Sequence, residues 1–216
     1  MNRFTLEGAQ VAVLDRLPAS QLPQTGLNLL VDVTSREGVE EAFLELDRIW
    51  GGVDILVANA GVSLRHRFAD ITSEEWQRVL ATNLTGVFYC AQSAVRRMAR
   101  AQSGTVLMTA STNGYRGHPL YADYNASKAG VILLMKTLAA EHAPWIRANA
   151  VCPGYVLTPM QRAEYTEEML ETVNRSLPLG RHAEPEEVAA LFAFLASDDA
   201  QYITGQCITI DGGETI

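Results

Sequence analysis

Short apolar runs alternate with amphipathic stretches along nearly the whole chain. Val11-Ala12-Val13-Leu14-Asp15 and Leu27 to Val33 are continuous apolar runs that close near an aspartate, the pattern of strands buried on both faces. Val39, Ala42, Phe43, Leu46, Ile49 and Trp50 recur at helical spacing, and Gly51-Gly52 stops the helix they predict. Val53 to Ala58 is the next predicted strand and runs directly into Asn59-Ala60-Gly61. Thr72-x-x-Glu75 has the capping-box pattern; it opens a helix through Trp76 and Leu80 that continues to Ala101, with Asn83 and Gly86 in its interior.

Gly104 to Ala110 predicts a strand that delivers Ser111 at its C-terminal end. A helix carrying Tyr124 and Lys128 follows and runs to His142. Ile146 to Val151 forms a strand ending at Pro153-Gly154, and a mixed acidic segment spans Gln161 to Asn174. Glu184-Pro185 places proline at the start of a helix that runs to Leu195, and Tyr202 to Ile210 is the last strand, before Asp211-Gly212-Gly213. Strands alternating with helices imply an α/β fold with a mostly parallel sheet covered on both faces. In such sheets ligands bind beyond the C-terminal strand ends, where Asp15, Asn59, Ser111 and Pro153-Gly154 all fall. No repeat, linker or low-complexity tract divides residues 1–216, so one domain is expected.

Composition narrows the partners. The chain is 48% hydrophobic and 19% charged, with a net charge of −8. The densest basic cluster is Arg96-Arg97 with Arg100, too little for nucleic acid, and an anionic membrane repels an acidic surface. No apolar run reaches membrane-spanning length and the first residues lack an apolar signal region, so a cytoplasmic setting is expected. Cys90, Cys152 and Cys207 are widely spaced within apolar stretches and read as small buried hydrophobes. The four histidines show no ligand spacing, and no metal site is expected.

The chemistry gathers at Tyr124-Asn125-Ala126-Ser127-Lys128. On a helix, residues four apart share a face. An ammonium beside a phenol favours the phenolate, making tyrosine a usable general acid/base near neutral pH. A hydroxyl such as Ser111 alongside can hydrogen-bond the oxygen of an alcohol or ketone while that proton moves. The set suits carbonyl/alcohol redox chemistry, which also needs a hydride carrier.

Together with Asp32-Val33, Asn59-Ala60-Gly61, Asn83 in Asn-Leu-Thr-Gly, Pro153-Gly154 with Thr158, and Thr204-Gly205-Gln206 with Asp211-Gly212-Gly213, these residues stand in a family's order and near its spacing. From Gly8 onward the chain resembles the short-chain dehydrogenase/reductase family. The resemblance implies a Rossmann-like doubly wound parallel sheet and hydride transfer between a nicotinamide and a secondary alcohol or ketone. It implies Tyr124 as general acid/base and Lys128 as the group that lowers its pKa and holds the nicotinamide ribose. Ser111 would orient the substrate oxygen, and Asn83 would kink its helix and anchor a water leading to Lys128. Asp32 and Val33 would border the adenine, and Asn59, with Ala60 and Gly61, would line the cofactor. Beyond Pro153 and Gly154, Thr158 and the backbone near Val156 would meet the carboxamide. Tyr121 has no lysine four residues on, and packing is its expected role. Asp15, ending the family's second strand, would accept hydrogen bonds from the adenosine ribose and repel a 2′-phosphate, favouring NAD over NADP, with Arg16 beside it pulling the other way. Tyr115, His118, Tyr155 and residues 160–174 are expected to shape the substrate pocket. Family members often form dimers or tetramers through the long helices and last strand, so a homo-oligomer is expected.

The resemblance breaks at the start. No Thr-Gly-x-x-x-Gly-x-Gly turn occurs; Phe4-Thr5-Leu6-Glu7-Gly8 passes straight into Ala9 to Asp15. Gly8 therefore reads as a junction from which roughly one β-α unit, some 25–30 residues, is absent. The sheet is then expected to be incomplete, either closing with new pairing or leaving backbone groups unpaired. Val11 to Leu14 is not expected to replace the first strand, because the loop after it has the single glycine Gly26 and no Gly-x-Gly cradle. Leu17 to Gly26 reads as too short for a full crossover helix. The functional expectation is an NAD(P)-dependent oxidoreductase; the alternative is a catalytically impaired or non-catalytic member lacking the pyrophosphate-binding loop.

Overall fold

The computed structural model describes residues 1–18 and 26–216. Most of the Leu17 to Gly26 stretch, expected to be too short for a crossover helix, lies outside the described residues. The strands are β1 (Ala12–Asp15), β2 (Leu27–Leu30), β3 (Ile55–Ala58), β4 (Gly104–Thr109), β5 (Ile146–Pro153) and β6 (Cys207–Ile210). The helices are α1 (Asn2–Leu6), α2 (Arg36–Trp50), α3 (Ser73–Leu80), α4 (Val87–Ala101), α5 (Ala122–His142), α6 (Pro159–Glu164), α7 (Glu167–Ser176) and α8 (Pro185–Ala196).

Side-chain chemistry sets most of these limits. The strand predicted over Leu27 to Val33 stops at Leu30, because the Asp32 carboxylate accepts from both the amide and the hydroxyl of Thr34 and turns the chain. Ser35 then caps α2 by accepting from the Gly38 amide, so that the helix begins at Arg36, three residues ahead of Val39, the first position of the predicted pattern. Thr72 and Glu75 form the predicted capping box of α3. The acidic segment folds into α6 and α7, capped by Thr158 and Thr166. The last strand begins only at Cys207, after a turn with Gly205 at φ +70°.

All strand pairs are parallel. Alternation along them sorts the core into two layers. Leu56, Val106, Met108, Ala148, Ala150 and Cys152 face α2, α4 and α5, while Val57, Leu107 and Val151 face Phe192 and Leu195 of α8 and Phe4 of α1. Arg97 of α4 joins the helical layer to α2 through Glu40 (3.0 Å) and Asp47 (2.8 Å).

The sheet is split. β3-β4-β5-β6 form one ladder and β1-β2 a second, and among the described residues β1 and β3 share no ladder. Of the two expected outcomes, unpaired edges are the one found. The break lies between β1 and β3, where an absent strand was expected. Side chains of both sheets nonetheless pack into one core, Ala12, Leu14, Leu27 and Leu29 joining Leu56 and Val106.

The junction expected at Gly8 is replaced by a helix end. Ala9 N–H donates to Phe4 C=O and Gly8 N–H to Thr5 C=O, both at 3.0 Å, the paired bonds of a Schellman motif with Gly8 at its left-handed position. Residues 2–15 thus form a continuous helix–turn–strand unit, with α1 seated on α8, rather than a leader spliced onto a second strand.

Between α3 and α4 the predicted long helix persists, but Ala81–Gly86 form a wider π turn carrying Asn83. Gly86 makes this turn fit: a Cβ there would lie 2.8 Å from Val33 Cγ2 and 3.1 Å from the Val33 carbonyl oxygen. Gly86→Ala is expected to destabilise the fold by about 1–3 kcal/mol, since backbone on one side cannot yield. Urea unfolding checks this; an unchanged midpoint would show that the close approach matters little.

Candidate functional site

Ser111 follows β4 in extended conformation (φ −172°), its hydroxyl accepting from the Asn113 amide at 3.2 Å. Tyr124 and Lys128 stand on the first turns of α5, as the spacing predicts. The side chains meet at a pocket of about 80 Å³ that Ser111 and Tyr124 both line.

The start of α5 is held by a buried carboxylate that the sequence did not single out. Asp123 Oδ1 accepts from the Tyr124 amide at 2.8 Å and Oδ2 pairs with His66 Nε2 at 3.1 Å. Asn113 donates to Asn125 Oδ1 at 2.8 Å, and Asn125 in turn donates to the His118 carbonyl. An acidic first turn gives no cue that its aspartate is buried against a distant histidine.

Asn83 is fully buried. Its carboxamide accepts from the Val62 amide (2.8 Å) and donates to the Val62 carbonyl (2.9 Å) and to Ser127 Oγ (3.2 Å). A π turn stands where the kink was expected, and the direct partners of Asn83 are Val62 and Ser127. Asn83 Oδ1 and Lys128 Nζ do face the same spot, lying 3.4 Å and 3.7 Å from where a Cβ on Gly61 would stand.

The electrostatics of the tyrosine differ from expectation. Lys128 Nζ donates to the Thr109 carbonyl at 2.7 Å and lies 5.5 Å from the Tyr124 ring centroid. Burial pushes Tyr124 up to about 12; the Ser111 hydroxyl opposes that shift and the Glu164 carboxylate adds to it. Burial likewise pushes Lys128 down to about 8. The expected lowering of Tyr124 by Lys128 is therefore corrected. Both groups are driven towards their neutral forms by burial, and Lys128 is not among the groups that shift Tyr124.

The predicted cofactor residues fall into two groups. Asn59, whose Oδ1 accepts from Thr109 Oγ1 at 2.8 Å, lies beside Ala60 and Gly61 at the edge carrying Ser111, together with Pro153 and Gly154. Gly154 is hemmed in, a Cβ there lying 2.6 Å from Glu214 Oε2 and 2.8 Å from Asp211 Cβ. Val156 bridges Ala183, and the Thr158 hydroxyl accepts from the Gln161 amide as the cap of α6. Asp15 and Asp32 belong to the other sheet. Asp15 is exposed and accepts from the Leu17 amide at 3.0 Å, so it makes a turn as well as presenting a carboxylate. Asp32 is held below the usual carboxylate range by the Thr34 amide and hydroxyl. It borders a cleft of about 290 Å³ with Arg16, Thr34, Val62 and Arg78. Val33 is buried, its side chain and carbonyl oxygen both packed towards Gly86 rather than lining that cleft.

The pocket by Tyr124 contains His118, Tyr155, Met160 and Gln161, in agreement with the predicted substrate side. Tyr115 is not part of it: its hydroxyl meets Cys152 Sγ at 3.2 Å. Tyr121 is buried as expected, yet its hydroxyl donates to Glu164 Oε2 at 2.8 Å and so helps to build the pocket wall. Glu214 was missed; it accepts from the Thr112 hydroxyl at 3.1 Å, and its place four residues from the fold's last strand gives no pattern to find it by. Cys90, Cys152 and Cys207 are free thiols. No helix among the described residues is long and apolar enough to cross a membrane.

The profile of a family described as Enoyl-(acyl carrier protein) reductase matches residues 2–215. The chain is 40% identical to the 3-oxoacyl-(acyl-carrier-protein) reductase FabG of Thermotoga maritima, over 99% of this chain and 90% of that protein. It is 35% identical to the meso-2,3-butanediol dehydrogenase of Serratia marcescens, over 99% and 87%. The ligand-free structure of an aldohexose dehydrogenase from Thermoplasma acidophilum superimposes with a TM-score of 0.93 at 29% identity, covering 99% of this chain and 87% of the other.

The Lys128 shift has a sign that stability can read. Between its folded value of about 8 and its ordinary 10.5, the unfolded chain holds the proton and the folded chain does not, so stability rises with pH across that window. Tyr124 acts oppositely between 10.0 and about 12, where only the folded chain keeps its proton. Lys128→Met is expected to remove the rise between pH 8 and 10.5, a contribution on the order of 3 kcal/mol. Urea titrations of both proteins across that range check it, and parallel pH profiles would refute it.

Proposed function

We propose, for a chain that belongs to the short-chain dehydrogenase/reductase family and is an oxidoreductase of CH–OH and C=O groups, that Tyr124 is the general acid/base and NAD the hydride partner. The observation that carries this reading is Tyr124 and Ser111 lining one polar pocket, with Lys128 Nζ 5.5 Å from the centroid of the Tyr124 ring. In the oxidative direction Tyr124, as phenolate, takes the hydroxyl proton of a secondary alcohol held by Ser111, while the carbinol carbon gives up hydride and the C–O bond becomes C=O. A nicotinamide supplies the hydride acceptor when bound. Lys128 would hold the nicotinamide ribose, and its ammonium, turned from the Thr109 carbonyl towards the phenol, would lower the Tyr124 pKa from about 12. Asn83 fixes the Gly61-Val62 backbone against α5.

Asn59 to Gly61, Pro153, Gly154, the Val156 backbone and Thr158 are the residues that would hold the nicotinamide end. Asp15 and Asp32 suit an adenosine ribose and favour NAD, with Arg16 and Arg78 at the same cleft giving NADP its counter-argument. The pyrophosphate end has no Gly-rich cradle in the 216 residues. Its absence and the split sheet support the second reading, a chain that binds cofactor poorly. Exposed Phe88 on α4 and Leu133 on α5 support self-association through the long helices.

Tyr124→Phe is expected to lower kcat by about 10²–10⁴-fold while the fold survives; retained turnover would remove the phenol from the mechanism. NADH binding by titration calorimetry is expected to be weak for this chain. A variant with a Gly-rich β-α unit fused ahead of Asn2 should bind tightly, because α1 already leads into β1 as a crossover helix does. Micromolar binding without the fusion, or no gain with it, overturns the assignment of the open strand position.

A further inference from the structure

Two residues that line the Tyr124 pocket each carry a buried polar atom without a hydrogen-bond partner among the described residues: Gln161 Nε2 and Glu164 Oε1. Buried polar atoms left unpaired are rare in folded proteins and mark places where something else completes the bond. Here one atom is a donor and the other an acceptor. They stand three residues apart on α6, on neighbouring positions of one helix face. A donor beside an acceptor is the complement of a hydroxyl group, which accepts and donates through one oxygen.

The rest of the wall holds these atoms in place. Glu164 Oε2 is fixed by the Tyr121 hydroxyl at 2.8 Å, which leaves Oε1 as the free lobe. The Thr158 hydroxyl caps α6 at the Gln161 amide (3.2 Å), setting where the Gln161 side chain starts. Gln161 and Glu164 line the same pocket of about 80 Å³ as Ser111 and Tyr124, so the orphan pair and the proposed reacting hydroxyl belong to one ligand's length. Glu214 adds a second carboxylate to the lining. Two carboxylates disfavour an anionic substrate, and about 80 Å³ accommodates roughly five to eight water-sized groups.

Resting on the oxidoreductase reading above, we propose that this pocket selects a small, neutral polyol. One hydroxyl is the reacting group at Ser111 and Tyr124, and a neighbouring hydroxyl is held between Gln161 Nε2 and Glu164 Oε1. The step is unchanged: the reacting carbinol loses hydride to NAD and its proton to Tyr124, and the second hydroxyl undergoes no chemistry.

Matched probes test this: meso-2,3-butanediol, 2-butanol lacking the second hydroxyl, and, in the reductive direction, an acetoacetyl thioester. The diol is expected to exceed 2-butanol in kcat/KM by about tenfold or more, because a site built to bond a hydroxyl rejects the analogue without it. Gln161→Leu should bring that ratio towards one. Equal use of the two alcohols, or a preference for the thioester, overturns the polyol assignment while leaving the oxidoreductase reading intact. Turnover of none of the three counts against that reading instead. The pocket is then read without cofactor, by saturation-transfer NMR. Signal from the diol but not from 2-butanol, lost in Gln161→Leu, supports the assignment, and equal or absent signal from both refutes it.

Discussion

The carboxamide of Asn83 is the tie on which the site's geometry depends. Fully buried, it uses its oxygen and its amino group on the backbone of Val62 and reaches Ser127 across to α5. It therefore joins three separate pieces of chain: the loop after β3, the π turn between α3 and α4, and the helix carrying Tyr124. A residue lacking this donor–acceptor pair would strand both polar groups of Val62 in the interior, at about 1–3 kcal/mol for each buried group left unpaired. The wide turn that presents Asn83 exists only because Gly86 lets the backbone press on Val33. Packing at one glycine and hydrogen bonding at one asparagine thus set where Gly61, Lys128 and Tyr124 stand relative to one another.

Within that frame the charges are arranged for change rather than for rest. Tyr124 and Lys128 are each held towards neutrality by burial, the first at about 12 and the second at about 8. A phenol so high is a poor base. The ammonium that can lower it is turned to the Thr109 carbonyl, and Ser111 is the neighbour already acting in the right direction. The Glu164 carboxylate acts in the wrong one. A hydroxyl donating to Glu164 Oε1 would spread that carboxylate's charge and weaken its hold on the phenol proton, so substrate binding and tyrosine activation pull together.

Much of this was legible from residue order. The Tyr124–Lys128 spacing, the Thr72 and Glu75 capping box, the strand before Ser111 and the interior placement of Asn83 all appear where periodicity and caps put them, because each is decided by local geometry. What sequence could not carry was tertiary. Asp123 looks like an ordinary first-turn acid until His66 is seen against it, and Glu214 lies far along the chain from the Thr112 it serves. The pKa of Tyr124 went the other way because burial pushes the phenol up, and spacing along a helix shows neither that burial nor that the lysine nitrogen is bonded to Thr109. Gly8 was misread for a related reason. A glycine between two apolar stretches looks the same whether it joins strands or ends a helix, and only the paired bonds to Phe4 and Thr5 distinguish them.

The split sheet bears most directly on cofactor binding. Asp15 and Asp32 ride on the β1-β2 pair, whereas Asn59, Ser111 and Pro153 ride on the four-stranded ladder. No backbone ladder fixes the register of one against the other among the described residues; side chains under α2 and α4, and the Arg97 pairs to Glu40 and Asp47, do that instead. Apolar contacts tolerate small sliding motions that a hydrogen-bonded ladder forbids, because they are non-directional. A dinucleotide must hold its adenosine on one body and its nicotinamide on the other, so binding has to remove that freedom as well as find partners for its phosphates. A strand between β1 and β3 would meet both needs at once, locking the two halves in register and ending where the phosphates belong. On this argument the weak cofactor binding proposed above would follow from the same break in the sheet, whereas the pocket around Tyr124 is built on the four-stranded side and its helices.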